Sequence, residues 1–290
     1  MPDWITQFPK ELLINIRDPI DKSLDYMIAN WSPFFDIIKI TLRALLGSIG
    51  FVINLIPWWL LIIIVFILTL RMTRKPQQAI LYSMLLFLIG VLGLWDLMYQ
   101  TLTIVIASVF IALLIGFPTG IFISYGKRAD TVVRPILDTM QTMPSFVYLI
   151  PVVMLLGLGN VPAVIATTIY AIPPIVRMTN LGIRQVDKEV VEAATAFGST
   201  RFQVLTKVQL PQALPTIMTG VNQTIMMAIA MVVTCSMIGA SGLGSEVLTG
   251  INRLESGRGV VAGTAIVILA IIIDRLTQNI FKKDSEAFDN

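Results

Sequence analysis

The sequence has no histidine and a single cysteine, Cys235, in its 290 residues. The lack of histidine excludes Ser-His-Asp and Cys-His catalysis and most zinc sites. One cysteine cannot form an intramolecular disulfide, and its place in an apolar run predicts a packing role. The phosphate-binding loop G-x-x-x-x-G-K-[ST] is missing as well, because Gly126-Lys127 is followed by Arg128. We therefore expect no enzyme activity, no catalytic or metal-binding residue and no cofactor in this chain.

Charged residues are scarce, since they make up 13% of the chain, against roughly 25% in an average soluble domain. Hydrophobic residues make up 56%, and the mean hydropathy is +0.81. The net charge of +3 comes from basic residues scattered between apolar runs, whereas nucleic acid would need a basic stripe. The composition predicts an all-α polytopic membrane protein that contacts lipid and binds no nucleic acid.

Seven apolar stretches predict membrane spans, for which about 20 residues are normally needed. They cover residues 51–70, 79–95, 101–125, 146–156, 161–178, 217–238 and 260–273. Residues 96–100 are expected to form a tight turn between the second and third spans. Pro151, Pro173 and Pro174 predict kinks in the fourth and fifth spans. The alternative is eight spans, with residues 42–57 crossing the membrane separately.

The spans divide the chain into four parts. Residues 1–50 form a tail whose apolar residues recur at helical spacing, which is typical of helices at a membrane interface or packed against the rest of a complex. Residues 51–96 hold two peripheral spans. Residues 97–280 form a core of five spans with a polar loop at 180–215, and residues 281–290 form a charged tail.

The distribution of lysine and arginine predicts the orientation, because basic loops resist transfer to the outer face. Most of these residues lie in alternate loops: Arg71, Arg74 and Lys75; Lys127, Arg128 and Arg134; Arg184, Lys188, Arg201 and Lys207; Lys282 and Lys283. The outer loops keep only Arg253 and Arg258. We expect the N-terminal tail outside, and the polar loop and the C-terminus in the cytoplasm.

Two further features concern the interior of the spans. Gly116/Gly120 and Gly259/Gly263 have the four-residue spacing that lets helix backbones approach closely. Ion-coupled carriers usually keep an ionisable residue at mid-span. The third to seventh spans are expected to have none before Asp274 and Arg275 near a membrane end, which disfavours secondary transport.

The polar loop contains a motif with fixed spacing. Its residues are Glu192, Ala193, Ala194, Gly198, Val208, Leu210 and Pro211. Residues 190–197 are good helix formers, and Gly198 supplies a stop at which a helix can turn back. Residues 200–209 predict a second short helix that ends at Leu210-Pro211, because proline disfavours helix in the preceding residue.

This spacing matches the EAA signature of importer permeases, which implies docking on a cytoplasmic ATPase subunit. The alternative is a surface loop with a helical turn. From about residue 94 to residue 278 the sequence also resembles the permease subunits of bacterial glycine betaine and proline betaine importers, the ProW and OpuAB group. The resemblance rests on residues 135–144, 159–162, 207–215, 220–224 and 268–278.

The resemblance implies a type I ABC importer permease fold with several partners. These are a second copy of the chain, two copies of an ATPase subunit that binds ATP and magnesium, and a separate extracytoplasmic binding protein. The implied function is uptake of glycine betaine or a related quaternary-ammonium osmoprotectant under osmotic stress. Choline, carnitine and proline are the alternative cargoes.

Three groups of residues are candidates for the transport path. Aromatic faces attract quaternary ammonium groups, so Phe146, Tyr148 and Tyr170 are candidate pore residues, with ordinary packing as the alternative. Asn222, Gln223 and Thr224 either line the path or bond a neighbouring helix. Ser241 and Gly242 have the flexible backbone of a gate or of a surface that meets the binding protein, with a plain outer turn as the alternative.

Overall fold

The computed structural model describes residues 15–288, except for the side chains of residue 127 and residues 279–288. This part of the chain is helical and contains no strand. The helices are α1 Arg17–Asn54, α2 Trp58–Thr73, α3 Pro76–Val91, α4 Trp95–Ser124, α5 Lys127–Thr142, α6 Ser145–Leu156, α7 Asn160–Gln185, α8 Lys188–Ala196, α9 Arg201–Val204, α10 Leu210–Cys235, α11 Leu243–Asn252 and α12 Ser256–Phe288. The predicted all-α fold is confirmed.

Four helical segments are long and apolar enough to cross a membrane: α4, α7, Arg201–Ile238 and Ser256–Gln278. Two bent pairs raise the number to as many as six, since α1 and α2 meet at 84°, and α5 and α6 at 97°. The remaining predicted span corresponds to α3, which has only 16 residues. The expected count of seven therefore exceeds what length and composition support in the described residues.

The N-terminal region differs from the prediction. The first span was expected at 51–70 and a separate tail at 1–50, but α1 runs without interruption for 38 residues to Asn54, and its residues 42–54 do not form a span of their own. The chain then bends at Pro57, which is extended with ψ at 150° and begins α2. A proline ring opposes helix in the residue before it, which explains the break. Residues 1–14 of the predicted tail lie outside the described residues.

The turn between α3 and α4 also lies elsewhere. It occupies residues 92–94, where Gly93 has a φ of +73°, and Asp96 already belongs to the first turn of α4. A carboxylate there interacts favourably with the helix dipole. The residues 96–100 that were expected to be a turn are therefore the start of a 30-residue helix.

Residues 127–142 form an amphipathic helix, although Lys127, Arg128 and Arg134 were predicted to lie in a loop. The predicted fourth span is α6, whose 12 residues extend about 18 Å, much less than the hydrocarbon core. Pro151 in α6, and Pro173 and Pro174 in α7, all lie inside continuous helices.

Helix α7 packs between α4 and α10, with glycines at both contacts. A Cβ atom at Gly116 would lie 2.4 Å from Ile175, and one at Gly220 would lie 2.6 Å from Met178. The predicted close approach at Gly116/Gly120 is thus confirmed. The Gly259/Gly263 prediction is wrong in part, because Gly263 faces open space among the described residues, while the backbone of Gly259 adjoins Gly250.

Candidate functional site

The motif residues lie in a helical hairpin, residues 187–211, that we call the EAA segment. Its first helix, α8, starts at Asp187, whose side chain accepts a hydrogen bond from the Glu189 N–H at 2.9 Å. At its end the N–H of Gly198 donates to the Thr195 carbonyl at 2.9 Å, and the N–H of Ser199 to the Ala194 carbonyl at 3.1 Å. Gly198 has a φ of +86°. This is a Schellman turn, which favours glycine at that position, so the predicted helix stop is confirmed.

The second half of the EAA segment differs from the prediction. Thr200 and Gln203 form a capping box at the start of α9. The helix does not end at Leu210-Pro211, however, but passes through a π turn at Leu205–Gln209 into α10. Proline lacks an N–H and its ring clashes with the carbonyl four residues earlier. The wider π turn accommodates both defects, because the Leu210 N–H bonds back to Leu205.

The EAA segment exposes two aromatic side chains that nothing covers within the described residues. Phe197 at the turn is 91% exposed, and Phe202 is 73% exposed. Glu192, Ala193 and Gly198 are exposed, and Ala194, Val208, Leu210 and Pro211 are half-buried. Exposed aromatic rings are typical of a protein-binding surface.

A hydrophobic cluster joins the EAA segment to the long helices. Its buried members are Ile175, Ile183, Val186, Leu205, Ala213 and Ile217, and Val191 of α8 packs against them. Gly182 of α7 lets α10 approach, since a Cβ atom there would lie 3.1 Å from the Ala213 carbonyl oxygen. The cluster therefore packs α8 against both α7 and α10.

Close to the EAA segment, three polar residues connect α7 to α4 and α5. The Asn180 amide donates to Asp130 at 2.9 Å, and Arg184 Nε donates to the Asn180 oxygen at 2.8 Å. The Arg184 guanidinium also lies 3.5 Å from the Asp130 carboxylate and donates to the Ile123 carbonyl at 3.0 Å. These three residues, Asp130, Asn180 and Arg184, are called the polar clamp below. The sequence reading missed it, although Asn180 and Arg184 have the i,i+4 spacing of a helical pair.

A second ion pair corrects the expectation for mid-span charges. Arg177 lies inside α7 and forms an ion pair at 2.5 Å with Asp138 of α5. Arg177 falls within the predicted fifth span, residues 161–178, so the expectation that the third to seventh spans hold no ionisable residue before Asp274 is wrong. The carboxylate on α5 compensates the charge.

The predicted gate residues are tied into the body of the protein. Both the N–H and the hydroxyl of Ser241 bond to the Asn160 side chain, at 2.8 and 3.0 Å. Gly242 lies against Thr101, whose hydroxyl accepts a hydrogen bond from the Leu243 N–H at 2.8 Å. The loop thus joins α4, α7 and α11 at the helix ends opposite the EAA segment, which we call the far end. The flexibility expected of it is opposed by these contacts.

Among the three polar candidates on α10, Asn222 forms hydrogen bonds to a neighbouring helix. Its amide donates to Asp274 of α12 at 2.8 Å, and its oxygen accepts from the Thr277 hydroxyl at 2.6 Å. Thr224 is buried, whereas Gln223 is exposed.

The aromatic candidates lie on α6 and α7. Tyr148 and Tyr170 meet edge to face with ring centroids 5.9 Å apart, and the buried Tyr148 donates its hydroxyl to the Met140 carbonyl. Phe146 is exposed. Packing therefore accounts for Tyr148, while Phe146 keeps a face free within the described residues.

The far end also carries an ion pair, between Glu246 of α11 and Arg258 in the first turn of α12. Arg258 donates to both oxygens of Glu246, at 2.5 and 3.0 Å. The hydrogen bond from Arg258 holds the pKa of Glu246 below its ordinary value of 4.5. This bidentate pair fixes α11 to the start of α12.

Long apolar helices with an exposed helical hairpin at one end are the arrangement expected of a membrane permease that is driven by a separate subunit. Comparison with known proteins agrees. Residues 112–283 match the family described as "Binding-protein-dependent transport system inner membrane component". The chain belongs to this family. It is a permease subunit of an ABC importer in the cytoplasmic membrane, and a separate ATPase subunit hydrolyses ATP.

Individual relatives extend over most of the chain. It is 48% identical to the glycine betaine/carnitine transport permease protein GbuB of Listeria monocytogenes, over 91% of this chain and 94% of the relative. It is 42% identical to the glycine betaine/proline betaine permease protein ProW of Escherichia coli, over 99% of this chain and 84% of the relative. An inward-facing structure of the MetNI methionine ABC transporter has a TM-score of 0.56 at 24% identity, over 68% of this chain and 94% of that one. This structure establishes the type I importer permease fold.

Proposed function

We propose that this permease imports glycine betaine or a related quaternary-ammonium osmoprotectant. The names of the two relatives support the cargo. Choline, carnitine and proline are the alternative cargoes. The uptake of such a solute serves the response to osmotic stress.

The observation that carries the mechanism is the EAA segment. In our proposal its exposed side, with Glu192, Phe197 and Phe202, seats in the cytoplasmic ATPase subunit. Glu192, Ala193, Ala194, Gly198, Val208, Leu210 and Pro211 form or support this docking surface. ATP binding would draw two such segments together in a dimer of the permease, and the hydrophobic cluster would carry the motion to α7 and α10. Hydrolysis would reverse it.

The orientation follows from this assignment. The EAA segment and the C-terminus lie in the cytoplasm, whereas the far end and the N-terminal tail lie outside, and residues 97–280 are the transport core. Among the pore candidates, we retain Phe146 and Gln223, whose side chains have exposed faces.

The test is reconstitution of the permease in vesicles with its ATPase subunit and binding protein. Cargo-stimulated ATP hydrolysis and betaine uptake are expected, with uptake abolished when the ATPase is omitted. Competition by choline, carnitine and proline ranks the alternatives. Uptake by the permease alone would indicate an ion-coupled carrier and contradict the proposal.

Two substitutions test the docking surface. Glu192→Lys and Gly198→Val should abolish stimulated hydrolysis while membrane insertion persists, because one reverses an exposed charge and the other places a β-branched residue at positive φ. Asp25→Lys is the matched control, since it reverses an exposed charge on α1. Wild-type uptake by both variants would contradict the assignment.

A further inference from the structure

The turn after α11 places a leucine where a similar turn in this chain has glycine. The Leu254 N–H donates to the Ile251 carbonyl at 3.2 Å, and the Glu255 N–H donates to the Gly250 carbonyl at 2.8 Å. This is the Schellman pattern also found after α8, where Gly198 occupies the left-handed position. Leu254 has a φ of +57°. A left-handed conformation is unfavourable for an L-residue other than glycine.

Packing does not explain this residue, because the Leu254 side chain is 88% exposed. Glycine would relieve the backbone strain and remove an apolar surface from water. Backbone strain and the exposed apolar surface therefore both disfavour leucine at this position within the described chain. Residues held in such strained conformations cluster at sites of function.

The surrounding contacts hold the backbone of this turn in one position. A Cβ atom at Gly250 would lie 2.6 Å from the Gly259 nitrogen, so the two ends of the turn are in close contact. Arg258 bonds to Glu246 and reaches Glu255 at 3.3 Å across the turn. A turn whose backbone is fixed before binding loses little backbone entropy when a partner covers it.

The position of the turn identifies the partner. Helix α10 leads away from the EAA segment, and the turn follows α11 at the far end. A binding-protein-dependent permease must meet its binding protein on the side opposite the ATPase. Exposed residues beside Leu254 include Ile251, one turn earlier, and its neighbours Asn252, Arg253 and Glu255.

We propose that Leu254 is a rigid docking knob for the binding protein that delivers the cargo. The partner surface has a shallow apolar recess for the leucine and a carboxylate at its rim for Arg253. This inference rests on the orientation in the proposed function but not on the identity of the cargo.

The test compares Leu254→Gly with Leu158→Gly in the reconstituted complex with the ATPase. Leu158 is another exposed leucine at the far end. Leu254→Gly should raise the binding-protein concentration for half-maximal ATP hydrolysis about tenfold, the effect of a docking hot spot. The maximal rate at saturation should be retained, and the melting temperature should be equal or higher, since glycine relieves strain. Leu158→Gly should leave the half-maximal concentration unchanged.

A cross-linking experiment identifies the occupant. In Leu254→Cys the only other thiol is the buried Cys235, so a thiol-directed photo-cross-linker at position 254 should capture the binding protein. An unchanged half-maximal concentration, a lowered melting temperature, or adducts only with a second permease copy or with lipid would overturn the proposal. If the binding protein docks through Leu254 but betaine is not transported, the proposed cargo is wrong, whereas the proposed docking role of Leu254 is supported.

Discussion

Gly120→Ala is expected to weaken the packing of α4 on α7. A Cβ atom at this position would lie 2.5 Å from Thr179 Cβ and 2.8 Å from the Val176 carbonyl oxygen. A backbone carbonyl cannot rotate away, so the helices must part by about 1 Å to restore ordinary contact. Overpacking of this kind costs about 1–3 kcal/mol. At about 1.4 kcal/mol per tenfold change, the unfolded fraction should rise by about 5-fold to 150-fold.

The same substitution at Gly263 provides the control. Within the described residues nothing lies within 4 Å of a Cβ atom there, and alanine is a better helix former than glycine by about 1 kcal/mol. Gly263→Ala should therefore be neutral or stabilising. Melting temperatures of both purified variants in one detergent provide the comparison. Equal melting of the two variants would refute the packing argument.

Three further predictions concern the polar contacts. Arg184→Ala should lower cargo-stimulated ATP hydrolysis, because α4 and α5 would no longer move together with α7. The ATPase subunit should still co-purify with this variant, and full stimulation of hydrolysis would contradict a coupling role of the polar clamp. Asn222→Leu should lower the melting temperature by the equivalent of about 1–3 kcal/mol, since Asp274 loses a donor, and unchanged melting would refute this. The pKa of Glu246 is lowered in the folded protein, so its pairing with Arg258 stabilises the folded state fully above about pH 4.5. This stabilisation is lost as the pH falls through the lowered pKa. In Glu246→Gln the melting temperature should no longer show this fall at acid pH. The same dependence of the melting temperature on pH as in the wild type would contradict the prediction.

The sequence was sufficient wherever a property depends on composition or on a few neighbouring residues. The scarcity of charged residues and the long apolar runs are sufficient to predict a membrane protein. The spacing from Glu192 to Pro211 identifies the EAA segment, and Gly198 ends its first helix as predicted. The helical content of each apolar stretch was also predictable, because backbone hydrogen bonds in lipid must be satisfied within the segment.

Only the tertiary structure decided which distant residues meet. Asp130 and Asn180 are 50 positions apart, and the loop at Asp130 was not even expected to be a helix. Gly259 pairs with Gly250 across a turn, whereas Gly263, with the same local spacing, faces open space. The helix through Pro211 continues because a π turn absorbs the missing donor, which a rule about proline alone does not foresee. Hydropathy and helix propensity act over one or two turns, while contacts between helices depend on packing over the whole chain.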